Sequence, residues 1–343
     1  MKRFSITLIA TVALFFSIPA VTPVHAQGVL DLIGAFSGAP SENKQSVTYI
    51  EGDKDATDEI LLIRIHGVIS EPDDGDSNMP FEIKKSMIER VKKEIDTAIE
   101  RPQIKAVLLE VDSPGGEITA SDILQHQLSR IKAAKKPLVT LIGSLGASGG
   151  YYVACAADQI WAHPTSIIGS IGVIMHSMNF EKLAGMIGVK AVTIISDRTP
   201  KKDIFSPFRE MTQEEKTMLL SIVDSSYDRF IEIVAAARKK SVKEITVLAD
   251  GGIYTSKQAL DKGLIDGIGY REDVMAKLRE IAGMKTSQLV RRKAKRSFGE
   301  LLGDLAEMQS GAPALLNRLE TLMQNSGTAK ILFQMPGIGE SHP

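Results

Sequence analysis

Apolar and polar residues alternate along this chain in blocks whose lengths separate strands from helices. The run Ile60–Ile69, ILLIRIHGVI, is apolar, rich in β-branched residues and closed by EPDDGDSN. A short run bounded in this way predicts a buried strand. Residues 81–100, FEIKKSMIERVKKEIDTAIE, repeat Ile and Val at helical spacing. A second strand is predicted over KAVLLEVD (Lys105–Asp112), a helix over Ser121–Ala134 and a third strand over PLVTLI (Pro137–Ile142). The short helix YYVACAA and the short strands QIWA and IIGSIGVIM follow, then a helix after Asn179 and a strand AVTIIS, Ala191–Ser196. The segment Thr212–Lys240 opens TQEE, in which Thr212 and Glu215 form a capping box. Strands alternating with helices of this length predict an α/β fold with a mostly parallel sheet and crossover helices.

Two predicted strands run into glycine-rich turns, DSPGGEI (Asp112–Ile118) and GSLGASGG (Gly143–Gly150). Glycine lets a backbone approach a ligand closely and aim its N–H groups at it. Two such turns at the ends of neighbouring parallel strands can converge into an oxyanion hole. The second turn spaces Gly146, Ser148 and Gly150 as G-x-S-x-G and sets Ser148 at the start of the next helix, where free N–H groups favour negative charge. A serine nucleophile needs a base. Of six histidines, His176 is the serious candidate, ending a strand-like run after Ser148, although no Asp is evidently placed to orient it. The alternative is lysine, which serves as a base when burial or a nearby cation lowers its pKa. Lys201 and Lys202 stand in the stretch SDRTPKKDIFSPFREMT, Ser196–Thr212.

The bulk composition narrows the choice. A net charge of −1 supplies no field to draw the chain to nucleic acid. Cys155 is the single cysteine, so the chain holds no internal disulfide, and no Cys/His cluster has zinc spacing. The basic run RRKAKR, Arg291–Arg296, reads as a solvated helix face, or as a contact for a membrane surface or subunit. At the N-terminus, Lys2 and Arg3 precede an uncharged run to Val24 and then VHA. This is the pattern of a secretory signal ending at Ala26 or of an N-terminal membrane anchor, and either would export the remainder. Residues 27–56 read as a linker, 57–285 as the folded domain and 286–343 as a tail of uncertain structure.

The order DSPGG, GASGGYYVA, GSIGVIM and K-D-x-x-S-P-x-R-E-M-T resembles the signal peptide peptidase A (protease IV) family of Ser-Lys serine peptidases in its short form, from about Ile60 to Gly283. The resemblance implies a crotonase/Clp-protease-like fold and a Ser-Lys dyad. On it, Ser148 is the nucleophile, Lys202 the general base, and Ser170 the hydroxyl that orients the lysine amine. Gly115 and Gly149 match the oxyanion donors, with Gly116 able to exchange with Gly115. The Thr199-Pro200-Lys201 stretch departs from the family's usual Gly and aromatic residue, which leaves Lys201 as the alternative base. The resemblance further implies hydrolysis of remnant signal peptides and other short or unfolded apolar peptides at the cell envelope. It implies no cofactor or metal, a homo-oligomer, and membrane association through the N-terminal segment. Competing readings are a Clp-like Ser-His-Asp peptidase using His176, a non-catalytic envelope scaffold, and a crotonase-type hydratase or isomerase.

Overall fold

The structure, a computed structural model, describes residues 46–71 and 86–293. The chain divides at residue 45 into two units, of which Met1–Gln45 lies outside the described residues. The expected signal or anchor segment falls there. Among the described residues no helix is long and apolar enough to cross a membrane.

The strands are β1 (Ser46–Gly52), β2 (Glu59–His66), β3 (Ile104–Ser113), β4 (Leu138–Ala147), β5 (Gln159–Ala162), β6 (Ile167–Gly169), β7 (Ile253–Thr255), β8 (Gly267–Ile268) and β9 (Gln288–Lys293). The helices are α1 (Met87–Glu100), α2 (Ile118–Ala133), α3 (Gly149–Ala154), α4 (Glu181–Met186), α5 (Gln213–Arg238), α6 (Val242–Leu248), α7 (Ser256–Asp261) and α8 (Arg271–Ala282). One sheet runs β1-β9-β2-β3-β4-β5-β8, and β6 branches from β4 to pair with β7. All pairings are parallel except β1 with β9 and β6 with β7. The protein is therefore an α/β fold with a mostly parallel sheet.

The strands are apolar without alternation because both faces of the sheet are covered. Leu61, Ile63 and Ile65 of β2, with Val107, Leu109 and Val111 of β3, pack against Val91 and Ile95 of α1 and Leu124 and Leu128 of α2. The intervening positions, Ile60, Leu62, Ala106, Leu108, Val139 and Leu141, pack against Val274, Met275 and Leu278 of α8. Each fully buried Leu or Ile of this kind contributes about 1.5–3 kcal/mol relative to exposure. A third cluster joins Tyr151 and Tyr152 of α3 to Phe230, Ile231 and Val234 of α5 and Ile245 of α6. It fixes the helix that follows Ser148.

Several expectations change. β1 occupies residues expected to be linker, and β9 lies in the expected tail. The first half of RRKAKR is strand rather than a solvated helix face: Arg292 is buried, with Nη2 2.6 Å from Glu59 Oε1. Lys293 is the last described residue of that run. The described helix α1 begins at Met87, where Ser86 Oγ accepts the Glu89 N–H. The strand expected over IIGSIGVIM stops at Gly169, because Ser170 has φ 48° and turns the chain. AVTIIS forms no strand; Val192 and Ile194 are 79% and 94% exposed. An apolar run becomes a strand only where a sheet edge receives it, and none does here.

Candidate active site

Ser148 sits between β4 and α3 with φ 50° and ψ −123°, a conformation that costs a residue with a side chain about 1–3 kcal/mol. Two hydrogen bonds hold it there: the Ser148 N–H donates to Gly169 O (2.8 Å), and Ser148 O accepts the Tyr152 N–H (2.9 Å). A strained strand-to-helix turn is how a G-x-S-x-G serine is displayed. The residue is half-buried.

The DSPGG turn lies against it. Gly115 has φ +103°, and a Cβ there would stand 2.7 Å from Gly149 N and 2.8 Å from Ser148 Cβ, so no side chain fits. The Gly115 N–H is already committed, donating to Ser113 Oγ at 3.1 Å, and Gly115 O accepts the Ile69 N–H at 2.9 Å. The N–H groups of Gly116 and Gly149 have no acceptor among the described residues. Between Gly115 and Gly116, the free donor is thus Gly116. A Cβ built on Gly149 would lie 3.3 Å from Gly116 N, which puts the two glycines side by side.

Ser170 joins the same cluster. Ala147 pairs with Gly169, so Ser148 and Ser170 each follow a residue of that pair. Ser170 is half-buried, and its N–H donates to Gly252 O at 2.7 Å.

Lys202 does not join it. The side chain is exposed and has no hydrogen-bond or ion-pair partner among the described residues, Ser148 and Ser170 included. Its loop is nonetheless well built. Arg209 bonds Asp203 Oδ1 and Oδ2 (2.8 and 3.0 Å) and Glu215 Oε1 and Oε2 (2.6 and 2.9 Å). The Arg209 hydrogen bonds hold the Glu215 carboxyl well down, to about 2, helped by the Thr212 N–H, and lower Asp203 as well. Lys201 is committed elsewhere, with Nζ 2.5 Å from Glu214 Oε1.

His176 is exposed and has no carboxylate partner among the described residues. The histidine that does face a carboxylate is His66, with Nδ1 3.8 Å from Asp112 Oδ2. The His163 ring packs at a tilt against Tyr270, with centroids 5.3 Å apart. No group of three or more His, Cys, Asp or Glu among the described residues could hold a metal ion.

Sequence reasoning passed over Ser113, whose hydroxyl decides which glycine N–H is free, and the Arg209 clamp. Two of the clamp's charges, Asp203 and Arg209, stood in the quoted K-D-x-x-S-P-x-R-E-M-T motif, where the lysine alone was weighed; the third, Glu215, was read only as half of a capping box. A further link is Tyr152, whose hydroxyl donates to Asp122 Oδ1 at 2.5 Å, tying α3 to α2. Burial, and then that bond to Asp122, raise the phenol above its usual range.

A strained serine, two adjoining N–H groups without an acceptor among the described residues and a second hydroxyl thus lie together on a mostly parallel sheet. Residues 130–285, a span that holds Ser148, Ser170 and Lys202, match the model of peptidase family S49. It is similar to a protein of Enterococcus faecium provisionally named signal peptide peptidase SppA: 36% identical over 221 residues, 64% of this chain and 63% of that one. A provisionally named protease of Methanocaldococcus jannaschii is 41% identical over 187 residues, 54% of this chain and 59% of that one. The chain thus spans less than two thirds of the length of these relatives. A solved ClpP1 mutant from Listeria monocytogenes overlaps at a TM-score of 0.39 and 15% identity, covering 63% of this chain and 94% of its own, too loosely to bear on the site.

Proposed function

We propose that this chain is a serine endopeptidase that cuts short or unfolded apolar peptides, remnant signal peptides among them, through an acyl-enzyme. The observation that carries this reading is Ser148 on its strained turn beside the free N–H groups of Gly116 and Gly149. Ser148 Oγ attacks the scissile carbonyl carbon while a neutral Lys202 Nζ takes its proton. The two N–H groups hold the oxyanion. Collapse breaks the C–N bond; the leaving amine takes the proton from the Lys202 ammonium, and an ester remains on Ser148. Water, giving its proton to Lys202, then attacks the ester; the bond from the acyl carbon to Ser148 Oγ breaks, Oγ takes the proton back from Lys202, and the acid is released. Ser170 orients the lysine amine. These steps need no cofactor.

Lysine serves as a base when burial or a nearby cation lowers its pKa, and in the single chain Lys202 is exposed. The segment leading to it presents Ile174, Met178, Met186, Ile187, Val192 and Ile194 to solvent. Isolated exposed apolar residues are ordinary, but a succession of this kind marks a contact surface. It supports a homo-oligomer that covers the segment and takes Lys202 out of water. The basic and apolar start of the chain supports a place at the cell envelope, with the peptidase domain on the exported side and membrane association through residues 1–26.

The test is hydrolysis of a quenched apolar peptide by the full-length chain in detergent, wild type against Ser148→Ala, Lys202→Met and His176→Ala. Loss with the first two and retention with the third is expected. Cutting by Ser148→Ala sinks the reading; a dead His176→Ala beside an active Lys202→Met transfers the base to histidine.

A further inference from the structure

We infer that Asp112 is a positioning residue for the nucleophile, acting through a bulge in β4. The inference rests, for its catalytic consequence, on the serine peptidase reading above.

β3 and β4 run in register from Val107 with Leu138 to Val111 with Ile142, then resume at Ser113 with Gly146. Asp112 alone therefore opposes Gly143, Ser144 and Leu145, so β4 carries two extra residues at this point. At the same place β4 changes neighbour. Up to Ile142 it pairs with β5, and from Leu145 it pairs with β6. This switch brings the end of β4 alongside Gly169, the acceptor of the Ser148 N–H. A bulge re-aims a strand at the cost of its ladder hydrogen bonds, and the groups so freed need other partners.

Side chains supply them. Asp112 Oδ1 accepts the Leu145 N–H at 3.1 Å. The bare Cα of Gly143 leaves room for that carboxylate, since a Cβ there would lie 3.3 Å from Asp112 Cβ and Cγ. On the carbonyl side, the buried Ser166 Oγ reaches Ile142 O (3.2 Å) and Gly143 O. The bulge is thus held from both sides, three residues before Ser148. Asp112 touches none of the reacting atoms; its effect passes along β4. A misplacement of about 1 Å at a reacting group can lower the rate on the order of 10²-fold.

The inference predicts a pattern across three variants of the full chain. Asp112→Ala and Asp112→Thr lose the acceptor, Thr being one bond too short yet favourable in a strand. Asp112→Asn keeps an Oδ1 that accepts the same N–H. Two readouts are compared: the second-order rate of fluorophosphonate labelling at Ser148, and amide hydrogen exchange at residues 143–149. Ala and Thr should label on the order of 10²-fold more slowly and lose protection at Leu145, while Asn stays near wild type in both. Wild-type labelling by a folded Ala or Thr variant, or equal loss in all three, overturns the positioning role. Should Ala fail to fold, Thr against Asn decides. If the wild type itself is not labelled at Ser148, the peptidase reading fails and the positioning role falls with it. Exchange at Leu145 then still reports separately on whether Asp112 holds the bulge.

Discussion

Lys201 and Lys202 are neighbours in the chain with opposite commitments: Lys201 Nζ lies 2.5 Å from Glu214 Oε1, while the amine of Lys202 has no acceptor among the described residues. An amine already engaged by a carboxylate is not free to reach a serine hydroxyl. Lys202→Met is expected to lower peptide turnover by about 10²–10⁴-fold, the usual worth of a general base. Lys201→Met should stay near wild type. Steady-state hydrolysis by the two variants, matched for folding and assembly state, checks this; the reverse order of losses would move the base to Lys201.

The strain at Ser148 predicts a divergence between stability and activity. Glycine adopts φ 50° without the penalty a side chain incurs there. Ser148→Gly and Ser148→Ala should both be inactive, yet Ser148→Gly should be the more stable by about 1–3 kcal/mol. Denaturant unfolding of the pair measures it, and equal stability would mean the turn holds no strain.

The Arg209 clamp gives an acid limb whose sign follows from Glu215. Its folded pKa is depressed from 4.5 to about 2, chiefly by the Arg209 hydrogen bonds. A depressed carboxylate contributes stability that is full above its unfolded pKa and is lost as pH falls toward the folded one. Stability should therefore fall between about pH 4.5 and 2 in part through this group, and Glu215→Gln should flatten that segment of the curve. Thermal midpoints across the acid range for wild type and variant provide the comparison.

Arg292 and Glu59 form a buried, two-pronged ion pair between β9 and β2. Removing one partner strands the other charge in the interior, so Arg292→Met should cost about 3–5 kcal/mol. Adding Glu59→Leu to that variant should restore most of the loss, since an apolar pair of similar volume replaces the ions. Urea midpoints of the single and double variants test both statements.

Cys155 lies within the third core cluster, where burial pushes its thiol up to about 12. The thiolate is the reactive form. Iodoacetamide at pH 8 should leave the folded chain unmodified and label this single cysteine stoichiometrically in denaturant. Rapid labelling of the native protein would show that α3 opens readily.

The parts legible in the sequence are those whose determinants are local. β2, β3 and the first half of β4 are apolar on both faces, and such runs announce covered parallel strands. The serine turn is announced by its glycines. β1 and β9 were illegible because SVTYIEG and QLVRRK look half-polar; Arg292 is buried only because Glu59 is there to meet it, 233 residues away in sequence. AVTIIS erred the other way, its apolar pattern being real and its sheet neighbour missing. At the site, the family resemblance pointed to Gly115 with Gly116 as its possible exchange and could not separate them, since the separation depends on one bond to Ser113 Oγ. The Lys202 side chain has no partner among the described residues, so neither spacing nor the described fold links it to Ser148.

The insertion of β9 between β1 and β2 has a consequence for biogenesis. A ribosome makes β2 long before it makes β9, and until residue 293 has emerged β2 presents an apolar, hydrogen-bond-hungry margin with no neighbour on that side. Such margins recruit other chains. Completion of this sheet is therefore a late event, in which the last described strand seals an edge that the earlier ones leave open. A nascent chain stalled or clipped before Gln288 would be an aggregation-prone species rather than a shortened but sound domain.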